Sequence, residues 1–282
     1  MPLAMRRAMG LGALRLAAQV WGGGLSHILL FVGRCWMEKT IWMLWLQGWE
    51  NAPPIVRACL TTWAHHNPDW RIQCIDARSI DSFLGRSERI SISLRYVPAA
   101  ARSDLLRIAL LRKFGGVWVD ATVYCLKPLD EWLPDAASQG FFAFDTPGPD
   151  RMIASWFLAA EASNEIVLRW YEASQSYWRW RFRRHHYFWF HYLFADIYRL
   201  HAGVKEIWDA TPKISADLPH YMTPYKQKLP APLSPEDAPF LDGSRTPLLK
   251  LTHKIRHGGF DQDSRYSVLL QRAQELGRQH HS

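Results

Sequence analysis

Residues 103–130 read SDLLRIALLRKFGGVWVDATVYCLKPLD, and this stretch sets the fold. Leu105, Leu106, Ala109 and Leu110 recur at helical spacing, so 101–114 is expected to be a helix with one apolar stripe. Ser103 is its expected N-cap, and Arg112 and Lys113 complement the negative C-terminal end. Gly115 and Gly116 stop it. The next residues, 117–119, are wholly apolar, as in a central strand covered on both faces. That strand delivers Asp120 at its carboxyl end, where open α/β sheets bind their ligands. Asp104 and Arg107 lie three apart, on one face of the helix. Each of the three has an ordinary structural explanation by itself. Together they make a charged pocket suited to a phosphorylated, hydroxyl-rich ligand, because carboxylates accept from sugar hydroxyls or hold a divalent cation and arginine meets phosphate.

Outward from this stretch, 41–47 (IWMLWLQ) is expected to be a buried strand ended by Gly48. Pro53 and Pro54 open a helix over 55–66, and 70–76 is a second strand. Strand-like segments follow at 141–144 and 155–160, then a long helix from about Asn164. The second half is helical and rich in aromatic residues, with a Pro-rich loop over 212–247. This alternation predicts an α/β fold with a mostly parallel central sheet flanked by helices, in a single domain over 40–282. Residues 1–39 read as an N-terminal extension. Arg6 and Arg7 precede a mildly apolar run that Arg15, Gln19 and His27 interrupt, so it is neither a clean signal peptide nor a membrane span. An amphipathic helix on the domain, a loose extension and a peripheral membrane contact all remain open readings.

With 48% apolar and 21% charged residues in 282, the chain is not disordered, collagenous or a coiled coil, and its core needs no staple. The net charge of +8 favours anionic partners. Fifteen tryptophans exceed what an ordinary core uses, and indole faces stack on sugars, bases or lipid headgroups. Cys35, Cys59, Cys74 and Cys125 have no metal-like spacing and read as buried free thiols of a reducing compartment. The expected location is the cytoplasm, with contact at the inner membrane face as an option. No P-loop or G-x-S-x-G elbow is present.

The pattern S-D-x-x-R-x-x-x-L-x-x-x-G-G-x-W-x-D-x-T over 103–122 resembles the signature of the capsular polysaccharide synthesis protein family. That family is related to glycosyltransferases with a DXD motif, including family 32 and the large toxin glucosyltransferases. Segments 41–72, 155–160 and 188–194 resemble further family blocks, and the likeness covers roughly 40–255. It implies a GT-A fold, a nucleotide-sugar donor, a growing surface glycan or lipid-linked glycan as acceptor, and, through family 32, retention of anomeric configuration in a hexosyl transfer. Asp104 and Arg107 would contact the donor sugar. Asp120, the first acid of the motif, would sit by the diphosphate and metal. Trp45 would stack on the base. Gly115 and Gly116 would permit the tight turn and a close backbone approach, and with Thr122 they count among the expected donor-binding residues. The second acid of the motif is replaced by Thr122, giving D-A-T. A neutral hydroxyl weakens a Mn²⁺ or Mg²⁺ site, since hard cations prefer anionic oxygen. His253, His257, Asp261 and Asp263 are candidates for a late residue completing that site.

A second notable stretch, 177–194 (YWRWRFRRHHYFWFHYLF), interleaves basic and aromatic residues. The plain reading is a helix whose aromatic face packs in the core while Arg179, Arg181, Arg183 and Arg184 are solvated. An acceptor or membrane contact ranks next. Nucleic acid is not expected, because no nucleic-acid-binding fold signature accompanies the run. The competing function is a non-catalytic protein that docks peripherally on membranes through this stretch.

Overall fold

The computed structural model describes residues 37–84, 97–179, 186–223, 228–254 and 260–279. These belong to a compact unit spanning Trp36–Ser282. Most of the expected N-terminal extension, 1–36, lies outside the described residues.

Strand β1 (Thr40–Leu44) is wholly buried. Helix α1 (Pro54–His66) carries Pro54 in its first turn, where a missing N–H costs nothing. Strand β2 (Arg71–Ile75) and the short helix α2 (Ile80–Phe83) follow. Helix α3 (Ala99–Phe114) runs into β3 (Gly116–Asp120). It starts before Ser103, with Pro98 at the N-cap and no side-chain cap, so Ser103 is inside the helix. The Pro98 ring fixes φ at the entry and sets the start earlier than the Ser-Asp pair implies. Strand β4 (Val123–Cys125), helix α4 (Leu133–Ala136), β5 (Phe141–Gly148) and β6 (Arg151–Ala160) come next. Asn164 caps α5 (Glu165–Trp178) by accepting from the Ile166 N–H at 3.0 Å. Helices α6 (Trp189–Leu200), α7 (Ala202–Ala210) and α8 (Ala238–Leu241) lead to strand β7 (Leu248–Lys250) and helix α9 (Arg265–Gln279).

The main sheet has the order β2-β1-β3-β6-β5. Strands β2, β1 and β3 are parallel, β6 runs antiparallel to β3, and β5 runs antiparallel to β6. Four of the five strands therefore share one direction, and the apolar β3 is the centre, as its unbroken Val-Trp-Val run predicts. Strand alternation sorts side chains onto two cores. Trp42, Trp118 and Leu158 face the helices α3, α5 and α6. Ile41, Val117, Val119 and Phe157 face Trp63 of α1 and the Leu129–Leu133 region. Strands β4 and β7 form a separate antiparallel pair, packed with α1 and α9 in a third core around Tyr124 and Leu249.

Cys59, Cys74 and Cys125 are free, and Cys74 is exposed because it lies on the outer strand β2. Burial pushes the Cys125 thiol up to about 12, so this cysteine packs rather than reacts.

Candidate active site

The site is built at the carboxyl end of β3. Trp118 and Asp120 are two apart on a strand and so project to the same face, toward α3. The Trp118 Nε1 donates to Asp120 Oδ1 at 3.1 Å. One turn into α3, Ser103, Asp104 and Arg107 meet this face. Arg107 is 5% exposed. Its Nη2 donates to Asp120 Oδ1 at 3.1 Å and to Ser103 Oγ at 3.1 Å. Its Nη1 donates to the Ser155 carbonyl of β6 and lies 3.3 Å from Asp104 Oδ1. Four of the five guanidinium N–H bonds are thus directed at protein oxygens, and Nε is buried without a hydrogen-bond partner. Arg107 is therefore a clamp that holds Asp104 and Asp120 beside one another, and it offers little of itself to solvent.

A second cation reaches Asp120 from the far end of the chain. In the β4–β7 pair, Val123 is opposite Lys250. The ladder extends past it, with the Leu251 N–H donating to the Thr122 carbonyl at 2.8 Å. This register places Lys250 Nζ 2.6 Å from Thr122 Oγ1 and 3.3 Å from Asp120 Oδ2. Burial works to raise the Asp120 pKa, but Arg107 and Lys250 together with the Trp118 N–H hold it below the ordinary carboxylate value. Asp120 is a carboxylate at neutral pH, and its side chain keeps 27% of its surface open.

The neighbouring parallel strand β1 brings Trp45. Leu44 is in register with Asp120, so Trp45 follows at the same end of the sheet. Its ring stands edge-on to His253 with centroids 5.0 Å apart, and its buried Nε1, like those of Trp132, Trp156, Trp178 and Trp189, has no hydrogen-bond partner among the described residues.

The structure thus gathers Asp104, Arg107, Asp120 and Thr122 into one network, with Trp45 at the adjacent strand end. Gly115 and Gly116 are elsewhere. They lie at the amino end of β3, about 13 Å away at the usual strand rise. A Cβ on Gly116 would stand 2.5 Å from the Thr40 carbonyl oxygen, and its φ is +91°. The two glycines serve the helix-to-strand turn and the approach of β1 and β6, not a ligand at Asp120. Sequence reasoning missed Lys250. Its only signal was proximity to His253, because the β4–β7 register that aims it at Thr122 is not visible in a local pattern.

The donor set at D-A-T does not fit a divalent cation. Asp120 Oδ1 already accepts two N–H bonds, and Lys250 holds both Asp120 Oδ2 and Thr122 Oγ1. Among the described residues no group of three His, Cys, Asp or Glu side chains could hold a metal ion. His257 lies outside them, and Asp261 and Asp263 are exposed.

His191 of α6 was not singled out by sequence. Burial first, then Arg107 and Arg151, pushes its imidazole down to about 3, and its buried Nδ1 has no hydrogen-bond partner among the described residues. Elsewhere in the 177–194 stretch, Trp178, Trp189, Phe190 and Phe194 are core residues, with Trp170 and Phe190 stacked at 4.0 Å. Arg181, Arg183 and Arg184 lie outside the described residues. Among those described, no helix is long and apolar enough to cross a membrane.

Comparison with known proteins agrees with the motif. The chain is 27% identical over 160 residues to the O-glycosyltransferase braB of Annulohypoxylon truncatum, covering 50% of this chain and 38% of that one. It is 26% identical over 105 residues to the initiation-specific alpha-1,6-mannosyltransferase of Candida albicans, covering 35% and 27%. The chain therefore spans well under half the length of these curated relatives. The solved PaToxG glycosyltransferase superposes with a TM-score of 0.42 at 15% identity, covering 62% of this chain and 73% of that one. The family model of the capsular polysaccharide synthesis proteins matches residues 34–269, and the chain belongs to that family.

Proposed function

We propose that this protein is a glycosyltransferase of the GT-A type, moving a hexosyl group from a nucleotide-sugar donor to a hydroxyl of a surface glycan or lipid-linked glycan, at the cytoplasmic side of the membrane. The observation that carries this reading is the Asp104–Arg107–Asp120 network at the carboxyl end of the central strand, with Trp45 at the adjacent strand end. Family membership and the transferase names of the relatives support it.

In the transfer, the acceptor oxygen bonds to the anomeric carbon as the bond from that carbon to the diphosphate oxygen breaks. The electron pair of the broken bond stays on the diphosphate, and the acceptor proton passes to the departing phosphate or to solvent. Asp104 would accept hydroxyls of the donor sugar, Asp120 would sit by the diphosphate, and Trp45 would stack on the base. Arg107 acts through them as a positioning residue, fixing both carboxylates before the donor arrives, which spares reorganisation at the moment of reaction.

The test is turnover of a panel of UDP-, GDP- and CMP-sugars, by transfer or donor hydrolysis, with wild type and Asp120→Asn. Wild type is expected to consume one donor class, and Asp120→Asn to lose about 100-fold or more in rate. Full activity in the variant, or no turnover of any donor by wild type, overturns the proposal.

A further inference from the structure

The motif position expected to hold a metal is bound instead by an ammonium group. We infer that Lys250 replaces the divalent cation, tying the D-A-T motif to the diphosphate of the donor, so that nucleotide binding at this site needs no metal. This rests on the transferase reading above.

Three observations carry it. Lys250 Nζ reaches Thr122 Oγ1 at 2.6 Å and Asp120 Oδ2 at 3.3 Å, the two motif oxygens a bridging cation would use. An ammonium has three N–H bonds; two are directed at these oxygens, and among the described residues no hydrogen bond takes the third, which can meet an anion. The backbone of Lys250 is also fixed, because it ends a strand whose ladder to β4 runs through Val123 and continues to Thr122 itself. The replacement of the second acid then has a chemical reason. A carboxylate at position 122 helps a metal, whereas a hydroxyl accepts one bond from a lysine without adding a negative charge that would repel phosphate.

The experiment is equilibrium binding of UDP, GDP and CDP, each in excess EDTA and again in Mn²⁺ or Mg²⁺. It uses the full chain as wild type, Lys250→Gln, Lys250→Arg and Thr122→Val. We expect one nucleotide to bind wild type in EDTA, with less than about a threefold change on adding metal. Lys250→Gln should weaken that binding about 10- to 100-fold, the range for a charged hydrogen bond. Lys250→Arg should recover most of it. Thr122→Val removes only the partner of the ammonium and should weaken binding less, which keeps the inference testable if Lys250→Gln fails to fold. Binding that appears only with metal and is unchanged in Lys250→Gln and Thr122→Val overturns the inference and leaves the transferase reading standing. If cooperatively melting wild type binds no nucleotide in either condition, both are overturned.

Discussion

The two ends of β3 are four residues apart and are built by opposite means. At the amino end, Gly115 and Gly116 have φ of +68° and +91° and press against the backbone of Thr40 and Ala160. That end is steric, and it needs the absence of side chains. At the carboxyl end, Asp120 is surrounded by Arg107, Lys250 and Trp118 and stays partly open. That end is electrostatic, and it needs particular side chains from α3, β3 and β7. One short rigid strand thus anchors itself with one end and presents chemistry with the other. A motif can therefore mix residues that fold the protein with residues that act, and spacing alone does not sort them.

The comparison breaks most sharply at Gly116. Gly116→Val puts a branched side chain at positive φ and into the Thr40 carbonyl, and the expected loss of more than about 4 kcal/mol is enough to abolish a cooperative melt in a marginally stable domain. A variant melting within a few degrees of wild type would refute the steric account. Next comes Arg107→Met, which keeps the bulk but leaves Asp104, Asp120 and the Ser155 carbonyl without their clamp. The expected loss is roughly 3–5 kcal/mol by urea unfolding, most of it the penalty of unpaired buried groups. A loss below about 1 kcal/mol would mean that water already compensates these groups.

A smaller effect is set by pH. His191 takes up its proton near 3 in the folded state and near 6.5 when unfolded, so between these values the unfolded chain binds more protons. Its contribution is fully present above about pH 6.5 and is lost as pH falls toward 3, with a slope of at most about 1.4 kcal/mol per pH unit. His191→Gln should flatten the stability profile in that window; an unchanged slope would show that the ring is accessible to water. The smallest effect is at Trp45. Trp45→Ala should weaken nucleotide binding by roughly 1–3 kcal/mol, the range for aromatic–base stacking, with little change in the melt. Unchanged binding would remove Trp45 from the site.

Much of this was legible in the sequence because it is local. The apolar run of β3 announces a central strand, and the Asp104–Arg107 spacing announces one helix face. The start of α3 was misplaced because Pro98 and a plausible Ser-Asp cap compete, and the proline's fixed φ prevails. The ligand-binding expectation for Gly115 and Gly116 came with the motif, and only the sheet shows which end of β3 they occupy. Lys250 was missed because it meets Thr122 across 128 positions, through a two-stranded pairing of three-residue strands that carries almost no periodic signal.

That long-range pairing also says something about how the protein matures. Non-local strand contacts form slowly, because loop closure must come before the contacts reward it. Strands β1, β3 and β6 can associate through residues 40–160, but the cation facing Asp120 arrives only when β7 closes on β4, with Tyr124 bonded to the Leu269 carbonyl of α9 as the latch. A nascent chain halted before residue 248 would carry the motif's acid without its ammonium. The pairing of Asp120 and Thr122 with their ammonium is thus a late acquisition of folding, completed when the C-terminal segment closes on the middle of the chain.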